Sequence, residues 1–92
     1  WRIENRALEL AGYIPGDIVL IDQAAAARDG DTVIAQIYDF DIGDARTRIR
    51  RYDGVYLTTA TMDAALAERP LPVDGERVVI VGRIVRMFRN RS

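Results

Sequence analysis

Ninety-two residues carrying 13 basic against 14 acidic side chains, for a net charge of −1, make one small domain without the cationic surplus that phosphate binding demands. At 49% hydrophobic and 29% charged, the composition excludes a disordered chain, and no apolar run approaches the ~20 residues that cross a bilayer as a helix. The absence of cysteine excludes a disulfide framework and a thiolate metal site, and fits a reducing cytoplasm. All the basic residues are arginine, and the first residue is Trp1 rather than methionine. Residues 1–92 are therefore expected to form a single domain of a longer protein.

In chain order, residues 1–4 read as a short opening strand. Asn5 is placed to cap a short helix over residues 6–11, which Gly12 would end in a left-handed conformation. Pro15-Gly16-Asp17 forms a turn, and Ile18-Val19-Leu20-Ile21 has the look of a strand buried on both faces. The alanine-rich stretch 23–28 fits a loop or one helical turn. Asp29-Gly30-Asp31 turns the chain into a strand over residues 32–38, and residues 39–44 form a hairpin tip. In Arg46-Thr47-Arg48-Ile49-Arg50, alternation sends three arginines to water and Ile49 to the core. Asp53-Gly54 is a hairpin signal, with residues 55–59 as the returning strand. Residues 61–68 suggest a short helix, after which Pro70 and Pro72 forbid regular structure and Asp74-Gly75 turns the chain.

The longest strand candidate spans residues 77–88, with Gly82 in its middle. A glycine there marks a bulge or a close backbone approach. Alternation assigns Val78, Ile80, Ile84 and Phe88 to one face and Val79, Val81, Val85 and Met87 to the other. About six short strands and at most two minor helices result. The fold class is mainly β, a small bent sheet or open barrel.

The catalytic inventory is thin. Nucleophilic catalysis needs a nucleophile and a base that activates it. The chain has no lysine, histidine or cysteine, and its one serine is Ser92. Thr32, Thr47, Thr58, Thr59, Thr61, the tyrosines and the carboxylates remain, and no threonine stands first in the chain to be activated by a terminal amine. This is the inventory of a domain that holds and pairs rather than one that cuts.

Four stretches in order cover nearly the whole chain: residues 8–22 with Gly16-Asp17, Asp29-Gly30-Asp31-Thr32-Val33-Ile34-Ala35, Arg48-Ile49-Arg50-Arg51, and Val79-Ile80-Val81-Gly82-Arg83-Ile84-Val85. Together they resemble the carboxy-terminal domain of phage- and SOS-type transcriptional repressors, the LexA-like self-cleaving peptidases. The family's serine lies eight residues before the glycine of the first Gly-Asp, which places Leu8 at that position. Its lysine falls at Thr47. The resemblance therefore implies the fold and a dimerising role but no proteolysis. Ala11-Gly12 resembles the dipeptide that such relatives cut, yet it lies inside the nucleophile segment, and Gly12 reads as a helix cap.

Other groupings have plain readings. Asp39, Asp41 and Asp44 beside Gly43 lack the remaining calcium ligands and read as a solvated hairpin tip. Asp17 and Asp22 bracket a strand, and Asp17 fits a turn better than acid–base work. Arg46, Arg48, Arg50 and Arg51 could grip phosphate or an acidic partner, or simply protect a strand edge with charge. No cofactor or metal is expected. The closing strand, apolar on both faces, needs a cover, and a second copy supplies one. Val81, Arg83, Val85, Met87 and Phe88 are the candidates for that dimer interface. The expected function is a non-catalytic pairing domain of a repressor that reaches operator DNA through a separate amino-terminal domain. The alternative is a receptor for a small ligand or antirepressor, in the degenerate groove around Leu8, Leu10, Tyr13 and Thr47.

Overall fold

The alternating apolar pattern builds a single open antiparallel sheet in the computed structural model, which describes residues 1–24 and 26–89. Its strands are β1 (Ile18–Asp22), β2 (Thr32–Asp39), β3 (Asp44–Tyr52), β4 (Tyr56–Thr58), β5 (Leu71–Pro72) and β6 (Val78–Phe88). They lie in the order β1-β6-β2-β3-β4-β5, so the closing strand is inserted between the first two. The mainly-β, bent-sheet expectation holds.

The sheet is buried on both faces at its centre. Val33 and Ala35 pack with Leu57 and Val78, whereas Ile34, between them on β2, packs with Ile3, Leu8, Val19 and Ile49. Successive side chains of a strand leave on opposite faces, so the two clusters lie on either side of β2.

Gly82 marks a close approach, as its place inside a strand suggests. A Cβ there would stand 2.6 Å from Ile21 Cγ2 and 2.8 Å from the Asp22 carbonyl oxygen. Beside it, β6 is bulged twice. Ile34 pairs with Gly82 and Ala35 with Ile80, leaving Val81 extra. Leu20 pairs with Arg86 and Ile21 with Ile84, leaving Val85 extra. Each bulge shifts the alternation by one. Val78 and Ile80 consequently join one core cluster while Val81 and Ile84 join the other, which overturns the simple two-face assignment.

Several local expectations give way to tertiary contacts. The opening strand reduces to a bridge between Arg2 and Ile18. The helix over residues 6–11 shrinks to a 3-10 turn, Glu9–Ala11, although Asn5 Oδ1 accepts the Ala7 N–H and Gly12 ends the turn at φ 96°. The cause is Ala60: it accepts the Leu10 N–H and donates its own N–H to the Ala7 carbonyl, taking the groups a longer helix would use. The helix over residues 61–68 does not form. Glu9 takes the Met62 N–H and the Thr61 hydroxyl, and one turn closes on Asp63. Only Leu66 in residues 62–68 is even partly buried, too little apolar face to hold a helix. Just after Pro70, and despite Pro72, Leu71–Pro72 forms the two-residue edge strand, a position that tolerates proline.

Two burial expectations also fail. β1 is buried on one face only: Val19 is enclosed, while Ile18 and Leu20 are 42% and 48% exposed. On β3, Arg46 is exposed and Arg48 half-buried, but Arg50 is enclosed and paired with Glu68 at 2.8 Å.

Candidate functional site

β4 pairs with β3 only at Arg51 and Tyr52, so most of that edge of β3 is left to face the amino-terminal segment. Between them lies a cleft with a cavity volume of ≈ 50 Å³. Leu8 and Thr47, 39 positions apart in sequence, both line it, together with Trp1, Asn5, Arg48 and Arg50. Leu10 and Tyr13, expected in the same groove, do not line the cleft; Leu10 is exposed and Tyr13 packs against the core. Leu8 is only 2% exposed, and its side chain is part of the core. Thr47 is half-buried, and its carbonyl accepts from Arg48 Nη1 at 2.9 Å. Arg50 Nη1 donates to the Ile49 carbonyl in the same way. These side chains cap carbonyls of the strand that bears them. Arg50 Nε is buried without an acceptor among the described residues.

Asp39, Asp41 and Asp44 surround the β2–β3 tip, where Asp39 Oδ1 accepts the Asp41 N–H and Asp44 Oδ1 the Ala45 N–H. The Asp39 and Asp44 carboxylates serve the turn. Asp53 and Asp74 do likewise at other turns. The Tyr56 and Val55 N–H groups hold the Asp53 carboxyl below the usual carboxylate range, and the Val78 and Glu76 N–H groups do the same to Asp74.

A second region forms at the open end of the β1–β6 ladder. Ile18 pairs with Phe88 and Leu20 with Arg86, so these four side chains leave on one face. Phe88 is 46% exposed, and Val85, in its bulge, 52%. The Arg86 guanidinium lies 5.6 Å from the Phe88 ring centroid. Met87 pairs with the enclosed Val19 and so leaves on the opposite face. Val81 is half-buried against the core, and Arg83 is half-buried with Nη1 3.9 Å from Asp31. The five closing-strand candidates thus separate: Val85 and Phe88 are outward and exposed, Met87 is at the rim, and Val81 and Arg83 are drawn into the domain. Ile18 and Leu20 join the exposed set. A four-residue apolar run gave no sign of this, because the run does not say which face is covered.

Just beyond the ladder, Asp17 is enclosed and receives both arms of Arg89, from Nε to Oδ1 and from Nη2 to Oδ2, each at 2.9 Å. Asp17 also accepts the Ile14 N–H, as its turn position suggests. Arg89 holds the Asp17 carboxyl below the usual carboxylate range, against the opposing effect of burial.

No family model matches the chain. It is similar to the LexA repressors of two strains of Desulfitobacterium hafniense, DCB-2 and Y51, at 27% identity over 90 residues in each case. The match covers 96% of this chain, which spans about two fifths (39%) of the length of those relatives. Among the described residues no helix is long and apolar enough to cross a membrane.

Proposed function

We propose that this chain is the pairing domain of a LexA-related transcriptional repressor, bringing two copies together without cutting itself or a substrate. The observation that carries the reading is the exposed apolar face of Ile18, Leu20 and Phe88 on two neighbouring strands, with Val85 exposed in the adjoining bulge. Phe88 and Arg86, of the aromatic and arginine types enriched at protein interfaces, lie on it. A standard interface takes about 800 Å² from each partner, roughly an eighth of the 6283 Å² surface of this chain. Similarity to repressors along nearly the whole chain supports the regulatory setting. The lack of any lysine and the leucine at position 8 support a role without proteolysis.

Operator DNA is contacted by a separate part of the protein. Pairing makes the second half-site contact intramolecular, which raises avidity by ~10²–10⁴ with no new DNA contact. Light scattering on a size-exclusion column, with Val85→Arg as companion, tests the reading. The chain elutes as a dimer and the variant as a folded monomer if the face pairs; equal dimer from both removes the face from the interface.

A second reading has one specific observation in its favour. Leu8 and Thr47 meet at a cleft whose enclosed Arg50 carries an unused donor, as a receptor for an acidic ligand or antirepressor would. Thermal stabilisation by small carboxylates that vanishes in Arg50→Met tests it.

A further inference from the structure

We propose that the Asp17–Arg89 ion pair is a positioning device for the pairing face, fixing the end of β6 so that the Ile18–Phe88 rung is presented to a second copy in one arrangement. The inference rests on the pairing reading and adds to it the residues that pre-form the surface. Asp17 immediately precedes Ile18, and Arg89 immediately follows Phe88, while Ile18 and Phe88 are cross-strand partners. The ion pair is therefore the next rung of the same antiparallel ladder, made from side chains.

Three contacts hold Arg89: the two carboxylate oxygens of Asp17 and the Gly12 carbonyl, each at 2.9 Å. The fork of a guanidinium suits this arrangement, because its N–H groups are fixed in one plane. Asp17 is 1% exposed, and its partner carboxylate oxygen is further held by the Ile14 N–H, so the anchor point cannot move with the strand end. Gly12 caps the turn that carries Leu8, which ties the strand end to the wall of the cleft as well. From the other side, Arg86 lies over the Phe88 ring. Phe88 is thus an exposed aromatic braced at both neighbours.

Such bracing matters for association. Ordering a mobile side chain on binding costs ~0.5–1.5 kcal/mol, and a fraying strand end adds its backbone to that cost. A solvent-facing terminal rung without the ion pair would meet its partner as an ensemble. On the pairing reading the occupant is a second copy of this chain: Ile18, Leu20 and Phe88 stand exposed on two adjacent strands at the β1 edge of the sheet, where a two-fold axis can set the same patch of a second copy against them.

Sedimentation equilibrium on the chain, Arg89→Met and Arg89→Lys tests the proposal, with circular dichroism melts on each. Arg89→Met keeps an unbranched apolar stem and removes the guanidinium with all three contacts; its dimer dissociation constant is expected to rise at least tenfold while the fold is retained. Arg89→Lys, which reaches one acceptor at a time, is expected to fall between the two. A folded Arg89→Met or Arg89→Lys with wild-type dimer affinity overturns the positioning role and leaves pairing intact. Where Arg89→Met does not fold, the lysine variant decides alone. A wild-type chain that stays monomeric throughout overturns the pairing reading itself, and the positioning role with it.

Discussion

Replacing Gly82 by alanine is expected to destabilise the domain sharply, although it adds one methyl group. The added Cβ would lie 2.6 Å from Ile21 Cγ2, and 2.8 Å and 3.2 Å from the Asp22 carbonyl oxygen and carbon. Carbon atoms in contact prefer ~3.5–4.0 Å, so the overlap with the methyl is about 1 Å. The Ile21 side chain can rotate away. The Asp22 backbone cannot, since Asp22 is paired with Arg83 in the ladder beside Gly82. Strands β1 and β6 must separate locally, which places the cost near the top of the ~1–3 kcal/mol range for overpacking. Loss of glycine freedom in the unfolded chain returns ~0.4–1 kcal/mol. The net loss is about 2 kcal/mol, or a melting temperature lower by ~8–16 °C for a domain of this size. Thermal and urea unfolding followed by circular dichroism measure it. A Gly82→Ala variant melting within ~3 °C of wild type would refute the close approach.

Asp17, whose carboxyl is held below its ordinary range, contributes stability above its unfolded pKa of ~3.9 that is lost as pH falls through the lower folded value. Urea midpoints between acid and neutral pH should therefore show a shallower acid limb in Asp17→Asn than in wild type; parallel limbs would contradict the ion pair. Glu68→Ala strands an enclosed guanidinium and is expected to cost about 2 kcal/mol, less than a fully buried pair because Glu68 is 44% exposed. Arg50→Met, which replaces the charge with apolar volume, should cost less than ~1 kcal/mol in the same urea titration, and a reversed order would refute the assignment. Leu8→Ser puts a serine where the family resemblance implies one but removes a side chain packed in the core, with an expected loss of about 3 kcal/mol and no shortening of the chain on prolonged incubation. Chain fragments cut by that variant alone would contradict the claim that the cleft lacks a base able to activate a serine.

The parts of the fold that depend on short-range pattern are legible in the residues. Strands β2 and β3 follow from alternation, β6 from a long apolar run, the turns from Asp29-Gly30 and Asp74-Gly75, and the close approach at Gly82 from a glycine inside a strand. What escapes the sequence is settled at long range. Arg50 has the alternation of a solvent-facing arginine, and only Glu68, 18 positions on, draws it inside. Residues 6–11 and 61–68 each carry helical signals, but Ala60 and Glu9 divert their backbone donors to one another's segments. Bulges at Val81 and Val85 reverse the faces of β6, which no period-two count detects. The Asp17–Arg89 ion pair spans 72 positions and gives no local sign. At the cleft, Leu8 and Thr47 are singled out only by the family resemblance; both line it, while Leu10 and Tyr13 of the expected groove do not.

Sedimentation velocity on the chain across a wide concentration range tests the pairing claim most directly. A dimer that grows with concentration and is lost in a folded Val85→Arg variant is the expected result. A strict monomer at the highest concentration reached would contradict it.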